Sequence, residues 1–111
     1  MKTLIITAAL LAVATGTASA AQPAARLSDG QFVKAARCKG LAKSEALGVM
    51  DTAGVDAVLK VNKRGRADHI VQRAYDAQNE ATSEANRADD SAKADLIAER
   101  SGACEAFGLQ G

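Results

Sequence analysis

The sequence predicts an all-α fold: a small bundle of three or four helices closed by one disulfide, after a cleaved signal peptide. Three observations lead there. Beyond residue 20, Ala is the commonest residue, with 20 copies, and Ala is the strongest helix former. The only proline, Pro23, precedes the first helical pattern, so no later helix is interrupted from within. Strand-length runs of β-branched and aromatic residues are missing, and the two cysteines, Cys38 and Cys104, lie far apart in the chain.

Residues 1–20 carry the three parts of a secretory signal. Lys2 is the positive start, 4–13 is an apolar stretch broken only by Thr7, and Ala18-Ser19-Ala20 fits the small-x-small cleavage rule. The stretch is about half the ~20 apolar residues that a membrane anchor needs, so stable membrane insertion after cleavage is not expected. No twin arginine precedes it and no cysteine directly follows it, which favours the general secretory route without lipid attachment. The expected destination is the periplasm or the medium. Residues 21–27 then form a flexible lead, and 28–108 form one helical domain.

Cys38 and Cys104 belong to that domain. In a short exported chain, two cysteines read as a structural disulfide. The chain-entropy model gives such a long loop about 4 kcal/mol. That matters here, because residues 21–111 include only 18 large apolar residues with which to build a core. Redox chemistry ordinarily uses C-x-x-C, and zinc wants four ligands. With His69 as the only histidine, neither a redox site nor a metal site is expected.

Helix one opens at Ser28, where Ser28 and Gln31 make a capping box and Leu27 and Phe32 a hydrophobic staple. Its expected end is Ala46 or Leu47, with Gly48 as the stop. Helix two is capped by Asp51 or Thr52, is expected to take its apolar side from Val55, Val58, Leu59 and Val61, and ends in Asn62-Lys63-Arg64-Gly65. Helix three starts near Arg66 or Ala67. Ile70, Ala74, Ala77, Ala81, Ala85 and Ala88 recur along it at three- and four-residue spacing, a seam that permits close packing. At Asp89-Asp90-Ser91, two readings stand: a break with a fourth helix from Ser91, or one helix through 66–107. The last segment is read as a helix over 92–107 that holds Gly102 inside it and is capped by Gly108.

Charge is the asymmetric feature. Residues 21–73 carry net +5 and residues 74–111 net −5. The balance over residues 21–111 is neutral, and only Phe32, Tyr75 and Phe107 are aromatic, so a nucleic-acid partner is not expected. The two halves are expected to face each other within the molecule and to favour an antiparallel arrangement. Lys60, Lys63, Arg64 and Arg66 form a weak candidate anion patch. Asp76, Glu80 and Glu84 make an acidic stripe that lacks the ligand loop of a calcium site.

No catalytic residues, cofactor or metal emerge from these patterns. The expected function is that of an exported non-catalytic protein, a periplasmic protein-binding or stress-type chaperone module. The alternative is an inhibitor or immunity protein for an envelope enzyme. The partner is a protein of unknown identity, and the chain itself is expected to be a monomer. If the leader is removed as its pattern predicts, the intact mass of the exported chain corresponds to a start at Ala21-Gln22-Pro23. A membrane-held product that keeps residues 1–20 would contradict the assignment.

Overall fold

A computed structural model describes residues 26–109. The expected signal peptide and most of the expected lead lie outside the described residues. Four helices follow in order: α1 (Asp29–Lys43), α2 (Ala53–Lys63), α3 (Asp68–Arg87) and α4 (Asp90–Ser101), with a short 3-10 helix at Ala103–Phe107. No strand occurs among the described residues.

Helix α1 begins as its sequence dictates. The Ser28 hydroxyl accepts from the Gln31 backbone N–H, and the Gln31 side chain accepts from the Ser28 N–H, which completes the capping box. The helix ends at Lys43, earlier than expected. Ser44 takes extended backbone geometry, and its fully buried hydroxyl accepts from the Leu47 N–H. The chain returns along the helix end, where the Met50 N–H donates to the Ala42 carbonyl.

The region 66–107 is neither one helix nor simply two. Ala88 is extended, and Asp89, one of the three residues at the expected break, caps α4 by accepting from the Ala92 N–H at 2.8 Å. The fourth helix therefore starts at Asp90 and stops at Ser101. Gly102 ends it and does not lie within it, and the expected continuation to Phe107 is the separate 3-10 helix.

Helix α1 is the central element, in contact with α2, α3, α4 and the 3-10 helix. Its buried residues, Phe32, Ala35, Ala36, Cys38, Gly40, Leu41 and Ala42, cover too wide an arc for a one-faced surface helix. The closest crossing is with α3. A Cβ placed on Gly40 would collide with the Gln78 carbonyl oxygen and lie 3.0 Å from the Ala81 Cβ. The α3 seam supplies the matching small residues: Ala81 and Ala85 are completely buried. Asp29 pairs with Arg66 at the start of both helices, and Gly40 meets Gln78 farther along, so α1 and α3 run in the same direction. The expected antiparallel arrangement does not hold for this pair, because α2 carries the chain back before α3 begins.

The disulfide joins Cys38 in the middle of α1 to Cys104 in the 3-10 helix, with a Cα–Cα separation of 5.6 Å. That lies inside the ~7 Å limit for bridging, and both residues are completely buried. Around it lies the main core: Leu41, Leu47, Val55, Leu96, Phe107 and Leu109 with the small residues of α1 and α3. A second cluster, Phe32, Ala36, Ile70 and Ala74, fills the space between the first halves of α1 and α3. The chain end closes on α2 backbone to backbone. Gly108, at φ +97°, sits so close to Gly54 that a Cβ on either would strike the other's main chain.

Both ends of the domain are pinned. Leu109, one residue past the expected boundary, is only 1 % exposed. In the expected lead, the Leu27 N–H donates to Asn62 Oδ1 at 2.9 Å, and Arg26 donates to the Arg64 carbonyl at 2.7 Å.

Two stability measurements follow. Gly40→Ala improves intrinsic helix propensity, yet at this crossing it forces α1 and α3 apart and should lower stability by about 1–3 kcal/mol in urea unfolding. A neutral or stabilising result would contradict the close approach. Replacing Cys38 and Cys104 together by Ser should lower stability by about 2–4 kcal/mol, with helical circular dichroism largely kept at low temperature.

Candidate amphipathic groove

Helices α2 and α3 flank α1 and scarcely touch each other, which leaves an open groove of about 270 Å³ between them. Its floor is carbon: Phe32 and Ala36 from α1, Leu59 from α2, and Val71 and Ala74 from α3. These side chains belong to or border the second apolar cluster: Phe32, Ala36 and Ala74 are buried, and Leu59 and Val71 are partly exposed at its outer edge. Lys39, Asp56, Lys60, Lys63, Tyr75 and Gln78 form its polar rim.

The rim charges are unequal. Lys39 Nζ lies 2.8 Å from Asp56 Oδ1, an ion pair between α1 and α2 at the groove wall. The Lys39 ammonium is the main reason the Asp56 carboxyl is held below its ordinary value of 3.8, and the Thr52 hydroxyl, donating at 2.9 Å, adds to the effect. Lys60 and Lys63 are exposed, and no carboxylate of the described residues lies within 4.0 Å of either. Lys63 leans over the Tyr75 ring at 5.7 Å from its centre. The groove is therefore apolar below and cationic above.

This arrangement divides the expected anion patch. Lys60 and Lys63 share one face of α2 and reach the rim. Arg64 is exposed just past the helix end, where its carbonyl accepts from Arg26. Arg66, beyond the left-handed turn at Gly65, points inward: its side chain is 4 % exposed. It donates to the Asn62 and Leu27 carbonyls and to Asp29 at 2.7 Å, and it stacks on Phe32 at 4.6 Å from the ring centre. It is a clamp that holds the entry of α1 against the α2–α3 connection. Closeness in sequence suggested one patch, but the turn at Gly65 sends the fourth cation to the opposite task.

Two other arginines are structural. Arg37 forks onto Glu99, with contacts of 2.7 and 3.0 Å, and also donates to Glu84 at 2.9 Å, tying α1 to α3 and α4. Here the basic and acidic halves of the chain do meet. The hydrogen-bonded Arg37 guanidinium holds the Glu99 carboxyl below its ordinary 4.5, against a smaller opposing effect of burial. Arg100 is 8 % exposed and has carbonyl partners only: Leu41, Leu47 and Gly48. Its guanidinium stands in for the missing donors at the α1 end, and burial pulls its pKa below the ordinary value. Nothing in the local sequence around position 100 signals this role; it comes from its place beside the buried end of α1.

His69 is exposed in the first turn of α3. Within the acidic stripe, Glu84 is engaged with Arg37 and Asp76 accepts from Gln72. Among the described residues, no group of three or more His, Cys, Asp or Glu side chains is placed to hold a metal ion, and no helix is long and apolar enough to cross a membrane.

Fold and groove together define a disulfide-closed helical domain with a small amphipathic cleft. No protein-family model, curated protein or solved structure matches the chain.

The ion pairs set an acid limb. Glu99 and Asp56 both have folded pKa values below their unfolded ones, so their stabilising effect is complete above the unfolded values. It is lost as pH falls below about 4.5 and through the folded values. Urea midpoints should be flat from pH 7 to about pH 5 and then decline. Glu99→Gln should unfold earlier at pH 7, and its gap to the wild-type protein should narrow as the pH drops. A gap that stays constant to pH 3 would show that Glu99 does not titrate against Arg37.

Proposed function

We propose that this chain is an exported, non-catalytic module that binds another protein through the groove between α2 and α3, acting as a monomer in the periplasm or the medium. The observation that carries this reading is the groove, where an apolar floor, partly exposed at Leu59 and Val71, lies beneath two lysines with no carboxylate partner among the described residues. Export is supported by the leader pattern at 1–20 and by the buried disulfide, a bond that persists in oxidising compartments. A rim of fixed charges favours a dedicated partner over the broad client range of a stress-type chaperone, whose surface must repack for each client.

The test is photo-crosslinking in the native periplasm. A photoreactive side chain replaces Tyr75 on the rim or, as a control, Val49, which is 66 % exposed and lies outside the groove. One discrete adduct at 75 and none at 49 is the expected result. A ladder of many products at 75 would instead identify the chaperone activity, and equal labelling at both positions would refute the groove as the binding site.

A further inference from the structure

We infer that the occupant of the groove is an acidic amphipathic helix, laid between α2 and α3 with bulky apolar side chains on the floor and carboxylates against Lys60 and Lys63. The inference rests on the protein-binding reading above and adds the chemistry of the partner.

Size comes first. A cleft of about 270 Å³ falls below the usual range of pockets that enclose a small ligand. It suits a few side chains of a larger molecule whose bulk stays outside. Backbone chemistry comes second. Every lining residue belongs to α1, α2 or α3, where main-chain donors and acceptors are already used within the helices. An extended peptide would find no strand edge to pair with, and its own backbone groups would be left without partners where water is displaced. A helix brings its hydrogen bonds with it. The groove walls are themselves helices, so the arriving helix would pack side chain to side chain along α2 and α3.

Charge comes third. Asp56 already neutralises Lys39, whereas Lys60 and Lys63 on the rim have no carboxylate partner among the described residues. They are three residues apart on one helix, which places their Cβ atoms about 5–6 Å apart. Carboxylates at i and i+3 or i+4 on a partner helix have the same spacing. Tyr75, 51 % exposed at the opposite wall, offers a ring with a polar tip at the boundary between floor and rim.

The experiment titrates the isotope-labelled, disulfide-bonded protein with three synthetic peptides of one leucine pattern, followed by amide NMR shifts. The first is an acidic amphipathic helix. The second carries Lys at every Glu position. The third is the acidic sequence with a central proline pair that prevents a helix. The acidic helix is expected to shift the amides of Leu59, Lys60, Val71 and Tyr75, and to bind at least tenfold more tightly than either control. In Lys60→Gln/Lys63→Gln, which leaves exposed positions uncharged without touching the core, its affinity should fall about three- to tenfold. The fall should shrink at high salt.

Equal binding of the lysine peptide overturns the charge assignment, and equal binding of the proline peptide overturns the helical one. Vesicles of phosphatidylglycerol that shift the same amides more strongly than any peptide would show a lipid-facing surface and also overturn it. A discrete crosslink at position 75 combined with failure of the acidic helix would leave protein binding standing and remove only this inference. Absence of both would remove the two together.

Discussion

The need to enclose α1 governs this molecule. The helix buries Ala35, Ala36, Cys38, Gly40, Leu41 and Ala42, so other elements must cover it on several sides. Most of those side chains are small and reach little distance outward. Neighbouring helices must therefore come close, and the chain must supply small residues where they cross. Gly40 against Gln78 and Ala81 is where that requirement is most acute. Close approach brings many weak contacts but buries little apolar area per residue. The rest of the stabilisation comes from devices that act at specific points: the Cys38–Cys104 bond, the Arg37 fork to Glu84 and Glu99, and Arg100 at the end of α1.

Much of this was legible beforehand because it depends on local rules. The Ser28–Gln31 box is a three-residue pattern with one geometric solution, and it is present. The cap at Asp89 follows from side-chain chemistry that competes with mid-helix structure. The pairing of two cysteines allowed a single intramolecular answer. What escaped the sequence depends on contacts between distant segments. Helix α1 stops at Lys43 because Arg100, more than fifty residues later, takes the carbonyls around the stop. The expected single helix over 92–107 is interrupted at Gly102 because the chain must turn there to bring Cys104 to Cys38 and Gly108 to Gly54, although 103–107 is still helical and Gly108 still caps it. Asn62 also gave no warning. It reads as a polar helix end but is 4 % exposed and holds Leu27 in place.

The groove was the least legible part. Phe32, Leu59, Val71 and Ala74 are apolar residues that any helical pattern would assign to the core. They are core residues on one side. What leaves Leu59 and Val71 partly exposed is that α2 packs against α1 and the 3-10 helix, and scarcely against α3. The sequence marked Lys60 and Lys63 as part of a charge cluster, but not which apolar residues lay beneath them. Arg66, the cation that seemed equivalent, is spent on the α1 entry.

The burial of the disulfide has a consequence for how the bond can be broken. Both cysteines are completely enclosed, so a reducing thiol has no line of approach to either sulfur while the bundle is shut. Reduction has to wait for an opening event that lifts the chain end away from α1. The lifetime of the bond in a reducing medium is then governed by the opening of the protein as well as by the strength of the reductant. Any partner that holds the bundle closed would lengthen that lifetime without coming near the sulfur atoms.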